Sequence, residues 1–318
     1  MEPFKSDNLQ IPESITGSIL VGFIFLIGIF PACTDLGQEA GESSSLVTDF
    51  PWPKEDYNAV WGSARNNVFT VGTNGVILHY DGSKWSEMKS GVTVTLTDIW
   101  GSSENNIFAI GSVGTLLHYN GNGLEWEKME KPSDQNLNSI WGSAEDNIFI
   151  VSEGGSILHY NGTAWNEMTT PGVQQLQDVW GSSAEDVFAV GREGKILYYD
   201  GSDWEIIASD KAPLYSVWGR SGENVYATGS DGTILHFDGT DWKDMTIRSV
   251  TDKGLYGIWG NADNNIFAVG VDGTIVRFNG SDWSREGNFL KQNLAGIWGL
   301  REHVFVVGSN GTIFRNQD

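Results

Sequence analysis

The dipeptide Trp-Gly recurs seven times, at Trp61, Trp100, Trp141, Trp180, Trp218, Trp259 and Trp298, with successive spacings of 39, 41, 39, 38, 41 and 39 residues. A repeat of this period decides architecture before any local motif does. Each unit parses into short extended runs. In the second unit these are "LTDIW" (96–100), "NIFAI" (106–110), "GTLLHY" (114–119) and "LEWEKM" (124–129). Val, Ile, Phe, Tyr and Trp fill the runs, as on a pleated, half-buried surface. "TNG", "SDG", "VDG" and "SNG" separate the second run from the third, and "YDG" or "YNG" the third from the fourth. Asn-Gly and Asp-Gly supply the positive φ angles that tight hairpins require. Each unit therefore reads as a four-stranded antiparallel meander, strands A to D. Seven of them in tandem predict an all-β, seven-bladed propeller, in which radial stacking buries faces that no single sheet could bury alone.

The chain carries 14 Trp. Seven mark strand A. Six more mark strand D, 24 residues further on in five units and 26 in one. From Trp298 the partner would fall beyond Asp318, so blade seven lacks strand D. The remaining tryptophan, Trp52 in "VTDFPWP" (47–53), precedes the first unit. The expectation is that this N-terminal segment supplies the missing outer strand and seals the ring, which removes an open sheet edge. Pro51 and Pro53 suit an edge strand. The propeller is thus placed at 46–318.

The tandem "WG…FAVG..GTILHYDG..W" pattern resembles bacterial propeller repeats of the BNR or Asp-box-like kind, including surface lipoproteins and the photosystem II assembly-factor-like repeat family. The resemblance spans residues 47–318 and implies architecture, with an activity that differs among members. An Asp box has one residue between Asp and Gly, whereas Asp81-Gly82 and Asp200-Gly201 are adjacent here.

Residues 14–34, "SITGSILVGFIFLIGIFPACT", carry no charge and suit a signal peptide or a membrane anchor. The single Cys, Cys33, ends this run behind Ala32. The arrangement resembles a lipobox, and the resemblance implies lipid attachment at Cys33. Phe30 and Pro31 depart from its usual residues, and a simple membrane anchor is the alternative. Lys5 faces Glu2, Asp7 and Glu13, which departs from the usual basic start and points to a misassigned start codon. Residues 1–32 are read as signal peptide or anchor and 33–45 as a flexible tether. Both readings place the propeller outside the cytoplasm, at a bacterial cell envelope.

Lys plus Arg number 19 against 41 Asp plus Glu, a formal net charge of −22. Such a surface repels phosphate backbones, which excludes nucleic acid. No calcium loop pattern is present. His79, His118, His159 and His236 share one position on strand C, too far apart around a ring to share a metal with bonds of roughly 2 Å. They are read as packing residues, and no metal or cofactor is expected. Arg65, Arg220 and Arg301 fall at A–B turns, and Arg277, Arg285 and Arg315 on outer strands, so no sialidase-like Arg triad can assemble. Asp98 and Asp178 share one position at the start of strand A. Two blades apart, they are expected to be too distant for glycosidase chemistry and to cap strand entry.

Variation lies in the D–A loops: "KPSDQNLN" (131–138), "ASDKAPLY" (208–215) and "TIRSVTDKGLY" (246–256). These share one end of the ring with the B–C turns, and loops on a rigid scaffold are where binding resides. Tyr215 and Tyr256 occupy equivalent positions at the mouth, with Arg192, Arg248 and Lys253 as positive groups nearby. The expectation is a monomeric, non-enzymatic scaffold that binds an envelope protein through this face. A carbohydrate-binding or glycoside-cleaving propeller is the alternative, and an assembly factor for a membrane complex a third reading.

Overall fold

The computed structural model describes residues 44–46, 54–286 and 290–316. They form seven four-stranded antiparallel sheets, the blades of a propeller. Blade 1 comprises Tyr57–Ala64, Asn67–Gly72, Ile77–Tyr80 and Trp85–Glu87. Blades 2 to 6 repeat this order from Leu96, Leu137, Leu176, Leu214 and Leu255. Strand A is innermost, packed on the strands A of its two neighbours. Strand B is buried along nearly its whole length, because both faces of a blade are covered by other blades. Strand D is short and exposed at its outer end.

The hairpins follow from side-chain chemistry. At the B–C turns Asn74, Asp231, Asp272 and Asn310 hold φ of 54–56°, each followed by a Gly with positive φ. At the C–D turns Asp81, Asn120, Asn161, Asp200, Asp238 and Asn279 each accept the backbone N–H two residues on. These are Asx-turns. They account for the recurrent "YDG" and "YNG".

The Trp-Gly dipeptide is an interlock between blades. The indole of Trp61 lies over Gly101 of the next blade, Trp100 over Gly142, Trp141 over Gly181, Trp180 over Gly219, Trp218 over Gly260 and Trp259 over Gly299. Trp298 of blade 7 lies over Gly62 of blade 1, so the series closes on itself. A β-carbon at any of these glycines would stand 2.6–2.9 Å from the indole, so no larger residue fits. Within its own blade the same indole faces the strand B aromatic: Trp100 stacks on Phe108, Trp141 on Phe149 and Trp180 on Phe188.

Blade 7 is built from Leu294–Leu300, His303–Gly308 and Thr312–Asn316. Its fourth strand is Ser44–Leu46, antiparallel to the last, with Ser44 opposite Asn316 and Leu46 opposite Phe314. The described pairing begins at Ser44, so Ser44 and Ser45 belong to the sheet rather than to a tether, while the 47–53 stretch expected to supply the strand lies outside the described residues. Trp52 lies outside the described residues, as do Cys33 and the rest of 1–43. Two further contacts tie the ends of the ring: Asn310 N–H donates to Asp56 Oδ1 at 2.8 Å, and Arg315 Nη1 donates to Tyr80 Oη.

A Gly142→Ala substitution forces its methyl group into the Trp100 indole and the Asn147 carbonyl. It should destabilise the ring by about 1–3 kcal/mol, read as a lower midpoint in urea unfolding monitored by Trp fluorescence.

Candidate functional site

The ring has two ends. At one, each B–C turn bonds to the loop that enters its own blade: Thr73 N–H to Asp56 O, Arg192 N–H to Gln175 O, Val271 N–H to Gly254 O. The variable D–A loops and the B–C turns thus form one continuous face, and the channel opens at its centre.

The second residue of each strand A sits just inside that mouth: Asn58, Thr97, Asn138, Gln177, Tyr215, Tyr256 and Ala295. In blades 1 to 3 this side chain stitches blades together. Asn58 donates to Leu96 O, Thr97 to Leu137 O and Asn138 to Leu176 O, each on the following blade. In blades 5 and 6 the tyrosines break the pattern. The rings of Tyr215 and Tyr256 lie 5.4 Å apart at 52°. Arg192 places its guanidinium 6.0 Å from the Tyr215 ring and donates through Nε to Gln177 Oε1 at 3.2 Å. Tyr256 remains 39% exposed, which leaves a face of the pair open to a ligand.

Of the five residues singled out in the sequence, the structure brings Tyr215, Tyr256 and Arg192 into one cluster. Arg248 and Lys253 lie on the same face but are engaged elsewhere. Arg248 Nη1 donates to Asp231 O at 3.2 Å, and Lys253 Nζ pairs with Asp272 Oδ2 at 2.9 Å. That hydrogen bond and its charge hold the Lys253 ammonium above its ordinary pKa.

One step deeper, the wall has a feature that the sequence reading misjudged. Asp98 and Asp178 are two blades apart, yet they are joined. Ser139 Oγ lies 2.9 Å from Asp98 Oδ2 and 2.6 Å from Asp178 Oδ1. At the narrow inner end of the ring neighbouring strands converge, so a single side chain spans from one alternate blade to the other. Asp98 also accepts from Ile99 N–H and Ile140 N–H, and Asp178 from Val179 N–H, Val217 N–H and Ser216 Oγ. Every carboxylate oxygen is occupied by protein donors. The pair staples blades 2 to 5 together, with all four oxygens engaged. At the equivalent position blades 1, 6 and 7 carry Ala59, Gly257 and Gly296, so the remaining arc of the cavity, about 280 Å³ in all, is bare.

Ser139 has one hydroxyl proton and two carboxylates to satisfy. A proton held by one of the carboxyls lets both short contacts to Ser139 be hydrogen bonds. Burial and then the charge of Asp178 push Asp98 up to about 7, and burial raises Asp178 as well. Asp98 has fewer donors than Asp178, which makes it the protonated partner.

The strand C histidines are local props. Nε2 of His79, His118, His159 and His236 lies 2.5–2.8 Å from Oδ1 of Asn67, Asn106, Asn147 and Asn224 in the same blade. Arg277 makes the same contact with Asn265. His79 and His159 stack on Phe69 and Phe149. No cluster of His, Cys, Asp and Glu suited to a metal occurs among the described residues.

No protein-family model matches the sequence, and no curated protein matches it. Solved structures share the fold. YCF48 from Cyanidioschyzon merolae superposes with a TM-score of 0.70 at 15% identity, over 87% of this chain and 99% of that one. YCF48 bound to D1 peptide gives 0.69 at 14% identity, over 87% and 98%. A catalytically inactive virginiamycin B lyase from Staphylococcus aureus with quinupristin gives 0.74 at 12% identity, over 86% and 98%.

Because the folded protein keeps a proton on Asp98 that the unfolded chain releases near pH 4, this group's contribution to stability falls as pH rises from there to about 7. Carboxyl ¹³C NMR should show an Asp resonance titrating near pH 7 that disappears in Asp98→Asn. An Asp98 that titrates at the ordinary value would show the shared proton to be absent.

Proposed function

We propose that this chain is a non-enzymatic binding scaffold that engages a protein partner through its D–A loop face, and that it does so at the cell envelope, tethered through Cys33. The observation that carries the reading is the Tyr215–Tyr256 pair at the channel mouth, half-open and braced by Arg192. Aromatic and Arg side chains on a rigid platform are the usual anchors of protein interfaces. One neighbour in fold supports the same direction: a solved YCF48 propeller holds a D1 peptide. The channel carboxylates favour binding over catalysis, because their oxygens are saturated by serine and backbone donors.

Parallel peptide and glycan arrays probed with the purified protein separate the two leading ligand classes. Peptide ligands should bind, and Tyr215→Ala with Tyr256→Ala should cost about 2 kcal/mol or more of that affinity while circular dichroism stays unchanged. Glycan binding with blank peptide arrays, or full affinity in the double variant, would overturn the reading. For the tether, palmitate labelling in cells should be present in the wild-type chain and lost in Cys33→Ala; membrane association without any labelling would assign the anchor to the apolar run itself.

A further inference from the structure

Four blades place a methionine opposite the first residue of strand C. The amides of Met88, Met129 and Met245 donate to Ile77 O, Leu116 O and Ile234 O, and Met168 pairs with Ile157. Met1 aside, these are all the methionines of the chain. Each packs with the strand D tryptophan of the following blade: Met88 with Trp126, Met129 with Trp165, Met168 with Trp204, Met245 with Trp283. Trp204 donates its indole N–H to Met168 Sδ at 3.4 Å. In blade 6 the position is taken by Glu286, which lies 3.9 Å from Arg277.

Blade 4 departs from this pattern. Its outer strand, Trp204–Ala208, has one residue more. Ile196 pairs with Ala208 and Leu197 with Ile206, so Ile207 bulges outward and is 38% exposed. Ala208 thereby takes the methionine's place. A cavity of about 760 Å³ opens there between blades 4 and 5, walled by Phe188, Tyr198, Phe237 and Trp242. The Trp242 indole N–H is buried with no acceptor among the described residues. Trp126 and Trp283 also lack one, but they lie in clusters filled by Met88 and Met245. The cavity's charged lining is Asp186, Glu223 and Asp241 against Lys211.

We propose that this groove is a second docking site, separate from the channel mouth, which takes a methionine side chain from a partner protein segment with basic residues beside it. The fold itself defines the occupant, since the equivalent slot in four other blades is filled by methionine. An unbranched thioether reaches between the aromatic rings and offers sulfur to the Trp242 N–H. The three carboxylates select positive neighbours and repel acidic ones. A second copy of this chain is a poor donor, because its internal methionines are already packed inside its own blades.

The test uses a short fluorescein-labelled peptide with a central Met between Lys residues, and matched peptides with Met→Ala or with Glu in place of Lys. Fluorescence anisotropy should show binding of the first and at least about tenfold weaker binding of the others, a difference of about 1.4 kcal/mol. Ala208→Met refills the slot from within. It should abolish binding and raise the thermal midpoint, as filling a cavity does, while Tyr215→Ala with Tyr256→Ala leaves the peptide's affinity unchanged. Unchanged affinity in Ala208→Met, or equal binding of the Glu-flanked peptide, would refute the site. Loss of binding in the tyrosine variant instead would move the contact to the mouth.

Discussion

The ring rests on a steric fit between an indole and an absent side chain. Each strand A tryptophan occupies space that only glycine on the next blade leaves open, and the series runs unbroken from Trp61 to Trp298 and back to Gly62. A blade by itself exposes two apolar faces and has no reason to persist. Once the tryptophan of one blade is seated on its neighbour, strand B is covered on both sides, and the long runs of Val, Ile and Phe there become core. The hairpins, with their Asx-turns and left-handed Asn and Asp residues, set the width of each blade. The interlock sets how blades meet.

With the blades locked, the inner wall can differ from blade to blade at little structural cost, and it does. Asn58, Thr97 and Asn138 stitch one arc at the mouth, and the Asp98–Ser139–Asp178–Ser216 chain stitches the arc beneath it. The opposite arc is lined by Ala59, Gly257 and Gly296 and has no such polar chain. The tyrosine pair lies where the stitched arc ends. A seven-fold repeat therefore carries a single-sided channel. The polarity of that channel serves cohesion, and the aromatic surface beside it stays partly exposed.

The same logic applies at the outer rim. A methionine under each tryptophan is the rule that four blades follow, and the bulge at Ile207 is one extra residue that breaks it. Because the propeller is assembled from repeats, an irregularity stands out against internal controls within one chain. The cavity between blades 4 and 5 is measured against neighbours that are filled.

Blade number, strand order, turn positions and the face that varies were all legible in the sequence, because period and turn chemistry are local properties. So was the mutual position of Tyr215 and Tyr256, which follows from their equivalent place in the repeat. The recurrent methionine after each outer tryptophan, in "WSEM", "WEKM", "WNEM" and "WKDM", was equally visible and carried a signal that only its absence from "WEIIA" makes useful. The tertiary structure decided the rest. It seated each tryptophan on the glycine of the following blade, drew Asp98 and Asp178 to one serine, turned Arg248 and Lys253 aside toward Asp231 and Asp272, and supplied the last outer strand from residues 44–46. The Arg248 and Lys253 contacts span 17 and 19 positions; the others join neighbouring repeats or the two ends of the chain, and their distances depend on the radius at which the ring closes. That radius is a property of seven blades packed together, and no single repeat encodes it.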